Sequence, residues 1–138
     1  MRKTILTGLW LFVCSAAVAD NRLTLDEMMA AFGWDLETAV IEAEEIGSGL
    51  HVLFGPGGNV AASIGEDGVL IVDDQFPQVI PKIEAKIAEL GGGAIDFAIN
   101  THWHFDHADG NQALGPKGVW LVSQANSRAM TTGTHLID

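Results

Sequence analysis

Between residues 39 and 74 the sequence alternates short apolar runs with glycine-rich breaks, and this pattern limits the folds open to the chain. The runs read AVIEAEEI, LHVLFG, NVAASIG and GVLIVDD, and the breaks read GSG, GPGG and GEDG. Glycines supply the positive φ angles that hairpin turns require, so we predict a meander of four strands. The run VLIV is apolar on both faces, which is typical of a central strand.

A helix and two further strands are predicted after the meander. In PQVIPKIEAKIAELGGG the apolar residues recur at helical spacing, Pro77 and Pro81 suit the first turn, and the glycines end the helix. IDFAIN and GVWLVS are predicted strands, HADGNQAL a short helix between them, and QANSRAM the start of another helix. This order predicts an α+β fold with a mostly antiparallel or mixed sheet and helices on one face.

Residues 1–19 have the features of a secretory signal peptide. A basic MRK precedes the apolar TILTGLWLFV and the small-residue AVA, after which cleavage is expected. The apolar run is shorter than the roughly 20 residues that span a bilayer, which disfavours a membrane anchor. A lipoprotein that is lipidated at Cys14 is disfavoured, because Val13 is bulkier than the residue usual before a lipidated cysteine. We therefore expect a periplasmic or secreted protein with no stable membrane anchor after cleavage.

The mature chain divides into a short helical segment and one domain. Residues 20–38 contain Thr24 three positions before Glu27, a capping box that predicts a small helix. Residues 39–138 are expected to be the N-terminal part of a larger domain, because the sequence ends in THLID in what reads as mid-fold.

The mature chain is strongly acidic and has no cysteine. Loss of Arg2 and Lys3 leaves five basic residues against 18 acidic ones, so the net charge changes from −11 to −13. Such a chain repels phosphate backbones, which argues against a nucleic-acid partner. Cys14 is removed with the signal peptide, so a bound metal must use nitrogen and oxygen ligands.

The run INTHWHFDHADGN carries three of the five histidines and is the strongest chemical signal. His102 and His104 point the same way on an extended backbone, and Asp106 and His107 follow where the chain should turn into a helix. Neutral imidazoles and a carboxylate are good zinc ligands, so a divalent metal would explain the crowding, with one ion for each pair.

Neighbouring residues and the two remaining histidines are predicted to be structural. Trp103 and Phe105 alternate with the ligands and are expected to pack beneath them. His51 lies in a predicted strand and His135 in a predicted loop, and neither is expected to bind metal.

The run THWHFDH matches the HxHxDH signature of the metallo-β-lactamase superfamily, and GVLIVDD resembles the family strand that ends in a supporting aspartate. The resemblance spans roughly residues 39 to 128 and implies half of a four-layered αββα sandwich. It implies that His102 and His104 bind a first zinc ion and that Asp106 and His107 bind a second. It also implies that Asp73 holds the ligands in place through hydrogen bonds, with the adjacent Asp74 as the competing candidate.

The resemblance further implies a zinc-dependent hydrolase in which a metal-bound hydroxide attacks a carbonyl-type small molecule, such as a β-lactam, a thioester or a lactone. Asp106 would be the catalytic residue that orients the nucleophile or passes a proton to the leaving group. Family members complete both metal sites with ligands further downstream than this chain extends. The alternatives are a non-catalytic or vestigial metal-binding accessory protein and a sulfur dioxygenase with non-haem iron.

Overall fold

The computed structural model describes residues 23–132. The predicted signal peptide and His135 therefore lie outside the described residues. Within residues 23–132, no helix has the length and apolar character needed to cross a bilayer.

Six strands form one mixed sheet in which the spatial order follows the chain. They are β1 Glu42–Gly47, β2 Leu50–Phe54, β3 Val60–Gly65, β4 Gly68–Val72, β5 Phe97–Asn100 and β6 Trp120–Ser123. The first four strands pair antiparallel, as the predicted meander requires, whereas β5 and β6 add in parallel. β4 lies between β3 and β5, so the prediction of a central VLIV strand is confirmed, as is the α+β fold class.

The helices are short, and most lie in the connections beyond β4. They are α1 Leu25–Phe32, α2 Ile80–Glu89, α3 Phe105–Ala108, α4 Asn111–Leu114, a 3₁₀ turn at Gly115–Lys117 and α5 Ala125–Thr131. The prediction of a single helix for HADGNQAL is wrong. The structure has two four-residue helices in this region, and the first begins at Phe105. The helix is interrupted because the Gly110 amide donates to the carbonyl of Gln75, 2.9 Å away, instead of to a helical acceptor. Pro77 precedes α2, and only Pro81 lies in its first turn.

The two faces of the sheet differ in how far they are covered. On one face Leu53, Ala62, Ile71 and Ala98 are buried in one cluster with the apolar side of α2. On the opposite face large apolar side chains remain exposed, with Trp120 at 71% the most open of them. One sheet with helices on one face is the half-sandwich that the sequence predicted.

The N-terminal segment is fastened to the helical face by one lysine. The predicted capping box is confirmed, since Thr24 and Glu27 bond reciprocally at the start of α1. Lys82 on α2 donates to the carbonyls of Leu36, Glu37 and Ala39 at 2.9, 2.6 and 2.8 Å. An ammonium group satisfies three backbone acceptors in this way, so the segment that follows α1 is fixed against α2.

Candidate metal centre

The histidine loop, residues 101–107, begins where β5 ends. Val72 of β4 and Ile99 of β5 are register partners in a parallel pair, so the residues that follow them emerge at the same edge of the sheet. His104 has extended backbone angles and caps the start of α3, and Asp106 and His107 lie in that helix. An extended stretch that turns into a helix thus presents both pairs of predicted ligands at one edge of the sheet.

His102 and His104 form the first donor pair. The distance between Nε2 of His102 and Nδ1 of His104 is 3.1 Å. Two atoms bound to one tetrahedral zinc ion at about 2.0–2.1 Å lie about 3.3 Å apart. Nδ1 of His102 lies 3.0 Å from the hydroxyl of Thr101, and this bond leaves Nε2 available as a ligand atom. The spacing of this pair therefore fits a shared metal ion.

Asp106 and His107 form the second pair, next to the first. Oδ2 of Asp106 lies 3.5 Å from Nε2 of His107, again close to the spacing of two ligands on one ion. The His102 and His107 rings are 4.2 Å apart between centroids, so the two pairs adjoin. The structure thus places the two pairs side by side, with contact between the His102 and His107 rings.

Asp73 lies behind His107 and is 5% exposed. Its Oδ2 accepts a hydrogen bond from Nδ1 of His107 at 2.8 Å, and its Oδ1 accepts from the amide of Thr101 at 2.8 Å. The Thr101 hydroxyl donates to the same carboxylate. Because a carboxylate only accepts, Nδ1 of His107 carries the proton and Nε2 is left as a ligand atom.

Asp73 and Asp74 are adjacent but have different surroundings, and Asp73 has a φ of +64°, which is uncommon for a residue with a side chain. Asp74 is fully buried, and its Oδ2 accepts from Nδ2 of Asn100 at 3.0 Å. Its Oδ1 has no partner among the described residues. Burial, with a smaller addition from Asp73, raises the pKa of Asp74 to about 7. The Asp73 carboxylate therefore contacts the histidine loop, whereas the Asp74 carboxylate contacts Asn100 at the end of β5.

Among the described residues, the one group of three or more possible metal ligands with mutually close ligand atoms consists of Asp73, His102 and His107, so it leaves out His104 and Asp106. Their ligand atoms all lie within 4.8 Å of one another. The carboxylate of Asp73, however, already accepts hydrogen bonds from Thr101 and His107. Its geometry is that of a group that orients a ligand rather than that of a ligand.

The surroundings of His102 favour its neutral imidazole. Burial, followed by the neighbouring His107 and His104, lowers the pKa of His102. Burial, followed by the charge of Asp106, raises the pKa of Asp109. A neutral imidazole is the form that binds metal, so the lowered pKa of His102 favours the form of this residue that can act as a ligand.

Phe105 and Trp103 differ in their packing. Phe105 packs beneath the loop as expected, 5.9 Å from Phe76 and 6.3 Å from Trp34 between ring centroids. Trp103 instead lies edge-on to the ring of His104, 4.7 Å away. His51 is buried on β2, as a structural histidine would be.

Several supporting residues were not predicted. Thr101 contacts both Asp73 and His102, and Asn100 connects Asp74 to the side chain of Asn111. The side chain of Gln75 donates to the carbonyl of Gly58. Polar residues directly after two neighbouring parallel strands were the available signal, because such residues meet at one edge of the sheet.

The solved structures to which this chain is similar include several metallo-β-lactamases. BJP-1, a subclass B3 enzyme of Bradyrhizobium japonicum, is 25% identical with a TM-score of 0.59, over 70% of this chain and 38% of that one. FIM-1 from Pseudomonas aeruginosa in its mono-zinc form is 21% identical with a TM-score of 0.60, over 70% of this chain and 47% of that one. The enzyme from Hirschia baltica is 20% identical with a TM-score of 0.59, over 67% and 47%. At 20–21% identity the likeness shows the fold alone.

The chain spans less than half the length of these solved relatives. No curated protein is significantly similar to it in sequence. The sequence model of the metallo-β-lactamase superfamily matches residues 33–120, more than half of the chain and including the whole histidine loop. The chain therefore belongs to the metallo-β-lactamase superfamily.

Proposed function

We propose that this chain is part of an exported, zinc-dependent hydrolase that acts on a carbonyl-type small molecule such as a β-lactam, a thioester or a lactone. The observation that carries the proposal is the pair of donor spacings, 3.1 Å for His102 and His104 and 3.5 Å for Asp106 and His107. Both match the separation of two ligands on one zinc ion, which is about 3.3 Å.

Each pair would hold one ion. Nε2 of His102 and Nδ1 of His104 would bind the first, and Oδ2 of Asp106 and Nε2 of His107 the second. Zinc, when bound, acts as a Lewis acid and lowers the pKa of a coordinated water to about 7. Asp73 would orient His107 through Nδ1, and Thr101 would orient His102 in the same manner.

Asp106 would also serve as the catalytic carboxylate. Its side chain is 20% exposed, so a substrate at the loop can reach it, whereas Asp73 is almost closed off. A carboxylate so placed can orient the attacking nucleophile or carry a proton to the leaving group.

The comparisons support this proposal without extending to a substrate. FIM-1 was crystallised with one zinc ion, and BJP-1 is a metallo-β-lactamase. Because the chain spans less than half of either protein, the remaining ligands would come from outside the described residues. Export and a periplasmic or secreted location rest on the signal-peptide pattern of residues 1–19.

Metal binding by the purified mature chain tests the proposal directly. We expect the unsubstituted chain to bind zinc. The variants His104→Ala and Asp106→Asn should bind it at least tenfold more weakly, since each loses one donor of a pair. His51→Gln serves as the matched control, because it removes a histidine outside the loop and should retain zinc.

The outcomes separate the rival functions. Equal zinc affinity in all four proteins would contradict the proposed site. Binding of iron in place of zinc would support the hypothesis that the protein is a sulfur dioxygenase. Zinc binding, followed by a lack of hydrolysis of β-lactam, thioester and lactone substrates by the full-length protein, would support an accessory metal-binding role.

A further inference from the structure

The turn between β2 and β3, residues 55–58, lies against the second donor pair. This glycine turn reads Gly-Pro-Gly-Gly. A methyl group added to Gly58 would lie 2.8 Å from Nε2 and 2.9 Å from Nδ1 of His107. Carbon atoms do not approach a ring so closely, so the imidazole of His107 occupies the space that a side chain at position 58 would need.

The neighbouring glycine meets the other ligand of the pair. Gly57 has a φ of +81°, which disfavours a side chain, and a methyl there would lie 3.1 Å from Cβ of Asp106. The glycine turn thus covers both Asp106 and His107 with backbone alone. The glycine turn, which in the sequence indicated only a hairpin, thus also forms one wall of the candidate metal centre.

The glycine turn is held against the loop by Gln75. This side chain is 1% exposed, and its amide donates to the carbonyl of Gly58. The carbonyl of Gln75 in turn accepts from the amide of Gly110 at 2.9 Å. The turn therefore cannot easily move away to make room for a side chain at position 58.

We propose that Gly58 is a positioning residue for His107. The backbone of the glycine turn closes one side of the imidazole while Asp73 holds Nδ1, and together they direct Nε2 toward the side of Asp106. A side chain at position 58 would force the ring to turn, and the 2.8 Å bond between Nδ1 and Asp73 would be lost. The part of this inference that concerns metal rests on the proposed function, whereas the orientation of the ring does not.

The metal-free chain provides the first test. In ¹H–¹⁵N spectra of the histidine rings we expect one fixed tautomer for His107, protonated at Nδ1, in the unsubstituted protein. Gly58→Ala should give a mixture of tautomers. Gly93→Ala is the matched control, because a methyl there meets nothing within 4 Å and neither glycine has a positive φ. An unchanged His107 tautomer in Gly58→Ala would overturn the inference.

A second variant covers the case in which Gly58→Ala does not fold. Gln75→Leu removes the bond to the carbonyl of Gly58 without placing a methyl against the ring. It should shift the His107 tautomer in the same direction, and a fixed Nδ1–H form in that variant would count against the inference.

Zinc affinity provides the second test and separates the two proposals. We expect Gly58→Ala to bind zinc at least tenfold more weakly than the unsubstituted protein and Gly93→Ala to bind within about twofold. Equal affinity in all three would refute the positioning role and leave the proposed function intact. A lack of zinc binding in every protein would refute the proposed function, and the ring spectra would still decide the role of Gly58.

Discussion

Asp74 allows the most quantitative prediction, because a fully buried carboxylate here has one side-chain donor. Asn100 donates to Oδ2, and Oδ1 has no partner among the described residues. Burial raises the pKa of Asp74 from 3.8 to about 7. In the metal-free chain the folded state therefore binds the Asp74 proton more tightly than the unfolded chain does.

The sign and size of the effect on stability follow from this shift. Protonation of Asp74 stabilises the folded state fully below about pH 4, and this stabilisation is lost as the pH rises through about 7. A difference of about three pKa units at about 1.4 kcal/mol each amounts to about 4 kcal/mol. Of this, about 3 kcal/mol should be lost between pH 4.5 and pH 8.

Asp74→Asn tests this prediction because asparagine keeps an acceptor oxygen for Asn100 and carries no charge at any pH. Urea unfolding followed by circular dichroism, in the presence of a chelator, gives the free energy of unfolding of both proteins at pH 4.5, 6 and 8. The variant should gain about 3 kcal/mol relative to the unsubstituted protein across this range, while other titrating groups cancel in the difference. A difference that stays constant to within about 0.5 kcal/mol would refute the reasoning that burial controls the ionisation of Asp74.

Two further substitutions separate neighbouring residues with different roles. Asp73→Asn should weaken zinc binding by about 10–100-fold. Both carboxylate oxygens of Asp73 accept hydrogen bonds, and the amide keeps one acceptor oxygen and loses the negative charge that faces Nδ1 of His107. Asp74→Asn should change zinc binding less, and the reverse order in a competition titration would contradict the supporting role of Asp73. Lys82→Met should speed amide exchange around residues 24–39 and lower the free energy of unfolding by about 1–3 kcal/mol, because three carbonyls lose their donor. Lys86→Met is the control, because the Lys86 ammonium pairs with the exposed Glu89. Such surface pairs contribute about 0–1 kcal/mol to the free energy of unfolding. Equal effects of the two variants would rule out a special role for Lys82.

Much of the fold was predictable because it depends on short-range patterns. The apolar runs and glycine breaks between residues 39 and 74 predicted the four-stranded meander, and the helical spacing of Ile80, Ile83 and Ile87 predicted the buried side of α2. The connection from β5 to β6 was less predictable. The capping of Gly110 by Gln75, 35 positions earlier, divides that connection into two short helices.

The candidate metal centre was also predictable only in part. Residues two apart on an extended backbone face the same side, and a helix that begins directly afterwards brings its first side chains near, so His102, His104, Asp106 and His107 could be grouped from local sequence alone. Asp73 and Asp74 could not be told apart, because they differ in their contacts with residues that are distant in sequence. Thr101 and His107, which contact the Asp73 carboxylate, follow β5, and Asn100, which contacts the Asp74 carboxylate, is the last residue of β5.

Local periodicity and chemical type were therefore enough to predict the strands and the main helix and to single out the donor side chains of the histidine loop. The supporting contacts depend on segments that are distant in sequence and adjacent in space. The glycine turn meets His107 about 50 residues later along the chain. A contact of that kind arises only when the sheet brings β3, β4 and β5 side by side, so its orienting effect on a ligand is a property of the tertiary structure.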